Sequence, residues 1–165
     1  MKNRSVNILI ASFVLIGIFA VMLIVFIDYA KDNFGNNITV SSEGVTESTL
    51  SVRNLRLNPS ESKEYSINLV CEASGGFDVT LDFVEKADGG MKPFVNVTVK
   101  CDGELLYEGS LTALLDGDEV IVFEAELHAT EPRVISICYS MPRSIGNEAQ
   151  GTYSDFDLYL KVKKN

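Results

Sequence analysis

From about Thr39 to Val162 the apolar residues recur every second position, not every third or fourth. Tyr65, Ile67, Leu69 and Cys71 alternate with polar neighbours, as do Phe77, Val79, Leu81 and Phe83, and Val95, Val97, Val99 and Cys101. The pattern returns in Ile121–Leu127, in Ile135–Met141 and in Phe156–Val162. A period of two puts one face of a strand in a core and the other in water. Leu50–Val52 and Leu55–Leu57 read as shorter strands. Turn chemistry separates the runs: Asn58-Pro59-Ser60, Gly75-Gly76, Asp88-Gly89-Gly90 and Asp116-Gly117-Asp118. Asp102-Gly103, set between two strand patterns, predicts a two-residue type I′ hairpin. Helix is expected only as one or two turns over Ser110–Leu115, with Leu111, Leu114 and Leu115 on one face, and as a turn within Ser144–Ala149.

Eight or so short strands, each with one apolar face, must pack as two sheets or close into a barrel. The expected fold is all-β, a jelly-roll β-sandwich. An immunoglobulin-like sandwich is the second choice; the chain has no Trp to form that core.

The N-terminal pattern is different. Ile8–Ile27 is an apolar run with no charge, and Ser12 is its only plainly polar side chain. At about 1.5 Å per residue, a helix of roughly 20 residues spans a hydrocarbon core of ~30 Å. Lys2 and Arg4 precede the run and Asp28 and Asp32 follow it, so the positive-inside rule puts residues 1–7 in the cytoplasm and the rest outside. The run exceeds the apolar core of about 7–15 residues usual in signal peptides, and no good small-x-small site follows it. A retained signal anchor in a bacterial membrane is expected, against cleavage at an atypical site and secretion. Residues 28–45 are polar and read as a linker or a detachable first strand, and 46–165 as the extracytoplasmic β-domain.

Charge agrees with export. The 165-residue chain carries 14 Lys and Arg against 23 Asp and Glu, and two of the basic residues lie before the apolar run. Nucleic-acid binding needs clustered cations, so it is excluded as an expectation. Three cysteines, Cys71, Cys101 and Cys138, are too few for a disulfide framework. Cys71 and Cys101 share the inward phase and could pair outside the cell; buried free thiols are the plainer reading.

The segment Tyr139 to Phe156 carries Met141-Pro142, a short gap, then Gly146-Asn147-Glu148-Ala149-Gln150-Gly151 before an aromatic-led last strand. This resembles the C-terminal motif of the TasA/camelysin family, surface and biofilm-matrix proteins of Gram-positive bacteria. Leu55–Ser62 resembles the family's turn before a long strand, and Val99–Leu111 its hairpin and following short helix. The resemblance implies a jelly roll that assembles into extracellular fibres, an N-terminal strand of one subunit completing the sheet of the next. Asn37–Ser41, with Ile38 and Val40, is then the donor candidate. An open sheet edge offers unpaired N–H and C=O groups that an extended segment satisfies. The family's signal peptides end near an Ala-Tyr-Phe-type site, from which Phe26-Ile27-Asp28-Tyr29-Ala30 departs. A retained segment makes the chain a membrane-bound accessory, a fibre-anchoring subunit or a stand-alone surface domain.

The camelysin branch has been called a metalloprotease, but zinc hydrolases use several ligands and a base, commonly His-Glu-x-x-His. His128 is the single histidine, at an expected strand end, and Cys138 is the one thiol a Cys–His pair would use. No Gly-x-Ser-x-Gly elbow and no phosphate-cradling glycine loop is present. No catalytic residue and no organic cofactor is expected. Asp116, Asp118 and Glu119 gather carboxylates in one loop and are the candidate calcium ligands, against the plainer reading of a solvated acidic turn. Asn147 and Gln150 are expected to cap their loop through side-chain bonds to backbone, against a role at a subunit contact. Two functions remain: a tethered structural protein that self-associates or joins matrix fibres by strand addition, and a surface module that binds a glycan or calcium without polymerising.

Overall fold

A computed structural model describes residues 36–129 and 131–165. The expected cytoplasmic tail 1–7, the apolar run 8–27 and the first part of the 28–45 segment lie outside the described residues. Among the described residues, no helix is long and apolar enough to cross a membrane.

The alternating pattern folds as two sheets. Strands β1 (Asn36–Val40), β3 (Ser62–Cys71), β8 (Arg133–Ser140), β5 (Asn96–Cys101) and β6 (Glu104–Ser110) make one sheet in that order. Strands β2 (Val45–Leu55), β9 (Tyr153–Lys164), β4 (Gly75–Gly89) and β7 (Ile121–Leu127) make the other. Only β5 and β6 are successive strands of one sheet, so every other link crosses between the sheets. The two apolar faces thereby meet. Ile67, Leu69, Val97, Val99, Ile135 and Ile137 come from the first sheet, and Phe77, Val79, Leu81, Leu158 and Leu160 from the second; all are buried. The Tyr139 ring of β8 packs 5.5 Å from the Phe156 ring of β9, and Phe156 lies 6.0 Å from Phe83. That aromatic chain joins the two sheets through the centre of the core.

The Asp102-Gly103 hairpin forms as expected: φ is positive at both residues, 47° and 86°, and Cys101 faces Glu104 across the turn. Helix α1 (Leu111–Leu115) buries Leu111, Leu114 and Leu115, and Ser110 caps it by accepting a hydrogen bond from the Ala113 amide at 3.1 Å. A turn of 3-10 helix occupies Asn147–Ala149.

Three expectations need correcting. The two short strands around Leu50 and Leu55 are one strand, β2, with a register shift between Val52 and Leu55 where Asn54 takes φ of 53°. Thr46 and Ser48 are half-buried in its first half. Small polar residues there hide the alternation, and the bulge breaks its phase. Gly75-Gly76 and Asp88-Gly89 are not turns but the two ends of β4, which is 15 residues long. Gly89 is in the strand because nothing larger fits: a Cβ there would lie 2.3 Å from the Tyr153 ring of the neighbouring strand.

Tyr139 is fully buried, and its hydroxyl has no hydrogen-bond partner among the described residues. Burial pushes the phenol's pKa well up. An unpaired buried hydroxyl costs stability, so Tyr139→Phe is predicted to leave the fold intact and to raise unfolding free energy by about 1 kcal/mol. Chemical denaturation of both proteins measures this. A loss of similar size would mean that the hydroxyl is bonded.

Candidate functional site

Two sequence stretches that resemble family motifs meet at one end of the sandwich. The turn between β2 and β3 and the loop between β8 and β9 line a cleft of about 280 Å³. Arg56 to Pro59 form one wall; Gly146, Asn147 and Ala149 to Thr152 form the other. Backbone bonds lock the two loops together: Ser60 N donates to Met141 O and Met141 N to Glu61 O, each at 3.0 Å. Asn58 donates from both its backbone N and Nδ2 to Glu61 Oε2 at 2.8 Å, closing the first turn on itself. Thr152 Oγ1 donates to Ala149 O at 2.7 Å and fixes the second. Met141 is buried beneath them, Pro142 is half-buried, and Gly151 takes φ of 80°, a conformation that favours glycine.

Asn147 and Gln150 do not cap their loop as expected. Their side chains make no hydrogen bond to the described residues; only the Gln150 backbone N donates to Asn147 O. Both side chains are exposed on the cleft wall. The short 3-10 turn satisfies the loop from its own backbone and leaves the amides free.

The second candidate region is the outer edge of the first sheet. Ile38 and Val40, the donor candidates, lie in β1, which pairs in parallel with β3 of the same chain, Asn36 facing Ile67 and Val40 facing Cys71. Val40 is 1% exposed, and Ile38 packs against the core. β1 covers only Ile67–Cys71. Among the described residues no strand pairs with the outer edge of β3 over Ser62–Ser66. Four residues, Ser41–Gly44, carry the chain from β1 to β2 in the opposite sheet.

The acidic loop is partly committed to other contacts. Asp116 Oδ1 accepts from Lys92 Nζ at 2.8 Å, and the same ammonium bonds Glu85 Oε2 at 3.0 Å. These bonds, Asp116 first and Glu85 next, push the Lys92 pKa well up and keep it charged. The Tyr107 hydroxyl donates to Ser110 O at 3.3 Å, and its pKa is raised chiefly by burial and then by the neighbouring Glu119 carboxylate. Asp118 is exposed. Among the described residues no three His, Cys, Asp or Glu side chains are grouped to hold a metal.

All three thiols are free; Cys71 and Cys101 are buried and Cys138 half-buried. β8 stands between β3 and β5, the strands of Cys71 and Cys101. His128 is exposed at the end of β7, in the opposite sheet from Cys138.

One polar cluster on the outer face of the second sheet gave no sequence signal. Asp157 Oδ1 accepts from Ser51 Oγ and Arg53 Nη2, each at 2.7 Å, and Oδ2 lies 3.3 Å from Lys86 Nζ. Its members sit on three strands, which register alone brings side by side.

No family model and no curated protein matches the sequence. Among solved structures, a beta-glucosidase from Paenibacillus barengoltzii superposes over 80% of this chain and 12% of its own, at 10% identity and a TM-score of 0.36. PliG, a periplasmic inhibitor of g-type lysozyme from Aeromonas hydrophila, matches 78% of this chain and 99% of its own, at 15% identity and 0.35. Latent PorU from Porphyromonas gingivalis matches 73% and 13%, at 9% and 0.33. Superposition this loose carries no argument about function.

The hydrogen bond from Ser51, then those from Arg53 and Lys86, hold the Asp157 carboxyl below its ordinary range, against the opposing effect of burial. A carboxyl with a depressed folded pKa stabilises above its unfolded pKa, and that stability is lost as pH falls through the folded value. Asp157→Asn is therefore predicted to melt lower than the parent at neutral pH, the gap closing below about pH 4. A gap independent of pH would place the effect in packing.

Proposed function

We propose that the chain is an exported, membrane-tethered structural protein that assembles by β-strand addition, in the manner its resemblance to biofilm-matrix fibre subunits implies. The strand order supports reading the sandwich as a jelly roll: β2-β9-β4-β7 faces β3-β8-β5-β6, with β1 appended at an edge. The observation that carries the proposal is that appended strand. It is five residues long, parallel, and pairs with only half of the β3 edge. Parallel pairing is slightly weaker per residue than antiparallel. The short link Ser41–Gly44 is a natural hinge, and short hinges favour exchange of a terminal element between copies. A β1 that leaves its own chain exposes the slots of Ile38 and Val40 to the same strand of a neighbour. Each chain then gives one strand and takes one, so the contact is head-to-tail and propagates.

The apolar run Ile8–Ile27 supplies export and, if retained, holds the first subunit at the membrane. The acidic surface supports an exposed location and solubility at high local concentration. A second reading, a surface binding module that stays monomeric, draws on the cleft.

The proposal predicts that a chain beginning at Asp28 forms filaments at raised concentration, visible by negative-stain electron microscopy. Val40→Asp puts a charge in a buried slot and should abolish them, as should deletion of residues 28–42. A parent chain that remains monomeric at every concentration would overturn strand addition.

A further inference from the structure

We propose that the cleft between the β2–β3 turn and the β8–β9 loop is a binding site for a neutral saccharide. Its lining decides the class of ligand. Asn58, Asn147 and Gln150 bring three side-chain amides to one concave surface. An amide both donates and accepts, and so does each hydroxyl of a sugar, so a polyhydroxylated ring can be matched on either role. Asn147 and Gln150 are unbonded to the described residues and exposed, so no internal bond has to break for a ligand to enter. The frame beneath them is fixed by the backbone bonds between Ser60, Glu61 and Met141. That is the combination of rigid support and free polar groups that small-ligand sites need.

Charge excludes the competitors. Arg56 is the single charged residue on the walls, and no carboxylate lines them. A phosphate or a strongly anionic polymer would want several cations. Arg56 is itself held: its Nε donates to Asn54 Oδ1 at 2.8 Å, and its guanidinium lies 6.0 Å from the centroid of the Tyr153 ring. Its terminal nitrogens are left to donate to a ligand oxygen. An extended peptide is a poor fit, because both walls are turns and present no unpaired strand. The volume, about 280 Å³, lies at the small end of ligand pockets, which suits one or two sugar rings of a longer chain.

The site is independent of strand exchange. β1 pairs with β3 at Ile67–Cys71, the far end of that strand from the cleft, which adjoins Ser60 and Glu61. The proposal therefore stands or falls separately from fibre assembly.

The test is a glycan array of neutral and anionic oligosaccharides, probed with the full chain in a sugar-free zwitterionic detergent. We expect binding to neutral glycans, weakened at least fivefold in the Asn147→Ala/Gln150→Ala double variant and in Arg56→Met, with melting temperatures unchanged in both. Asn147 and Gln150 are exposed without internal partners, and Arg56→Met keeps the exposed aliphatic stem and gives up one surface bond, to Asn54, so neither variant should disturb the fold, and the melts verify that. Binding that survives both variants, binding confined to anionic glycans, or no binding on the array would each overturn the proposal.

Discussion

A sheet that does not close has edges, and an edge is a row of backbone donors and acceptors that must be paired, covered or left to water. In this sandwich the outer edge of β3 is the one on which the functional account depends. β1 pairs with it from Ile67 to Cys71 and stops, so Ser62–Ser66 keeps its outer backbone groups free of any described strand. The same β1 places Val40 in the core. One short segment thus seals the apolar interior at this corner and leaves the neighbouring edge open. Whatever occupies the slots of Ile38 and Val40, the chain's own β1 or another copy's, satisfies the same bonds and buries the same methyl groups.

The interior strands are held without β1. β9 lies inside the second sheet, paired along its length with β2 and with β4. β8 lies inside the first, between β3 and β5. Tyr139 and Phe156 connect these two interior strands ring to ring. None of these contacts involves β1, so its departure removes an edge and leaves the centre. The cleft is likewise framed by loops locked to each other through Ser60, Glu61 and Met141.

Much of this was legible in the sequence, and the parts that were not share a cause. Period-two alternation gave the inward faces of β3, the middle of β4, β5, β7, β8 and β9, because nearly all the buried positions there are apolar; Ser154, buried at the start of β9, is an exception. β2 was half hidden, since Thr46 and Ser48 occupy inner positions without an apolar signal. Gly89 at the end of β4 read as a turn because its reason is a neighbour, the Tyr153 ring, that lies 64 positions away in the chain. The motif stretches around Asn58 and Asn147 were visible separately, but only folding shows that they face each other. The amides of Asn147 and Gln150 were expected to serve their own loop; the 3-10 turn does that with backbone, which sequence cannot tell from side-chain capping. In the acidic loop, sequence could not show that Asp116 accepts from Lys92, 24 positions away in the chain.

The most direct measurement places single cysteines on the two sides of the β1–β3 register. Thr39 and Val70 are directly opposite and face outward. Chains carrying Thr39→Cys are mixed with chains carrying Val70→Cys at filament-forming concentration and oxidised. The account predicts a covalent heterodimer on a non-reducing gel, because β1 of one chain lies on β3 of another. No heterodimer from the mixture, together with an intrachain disulfide in the doubly substituted chain at the same concentration, would show that β1 stays on its own sheet and would contradict assembly by strand addition.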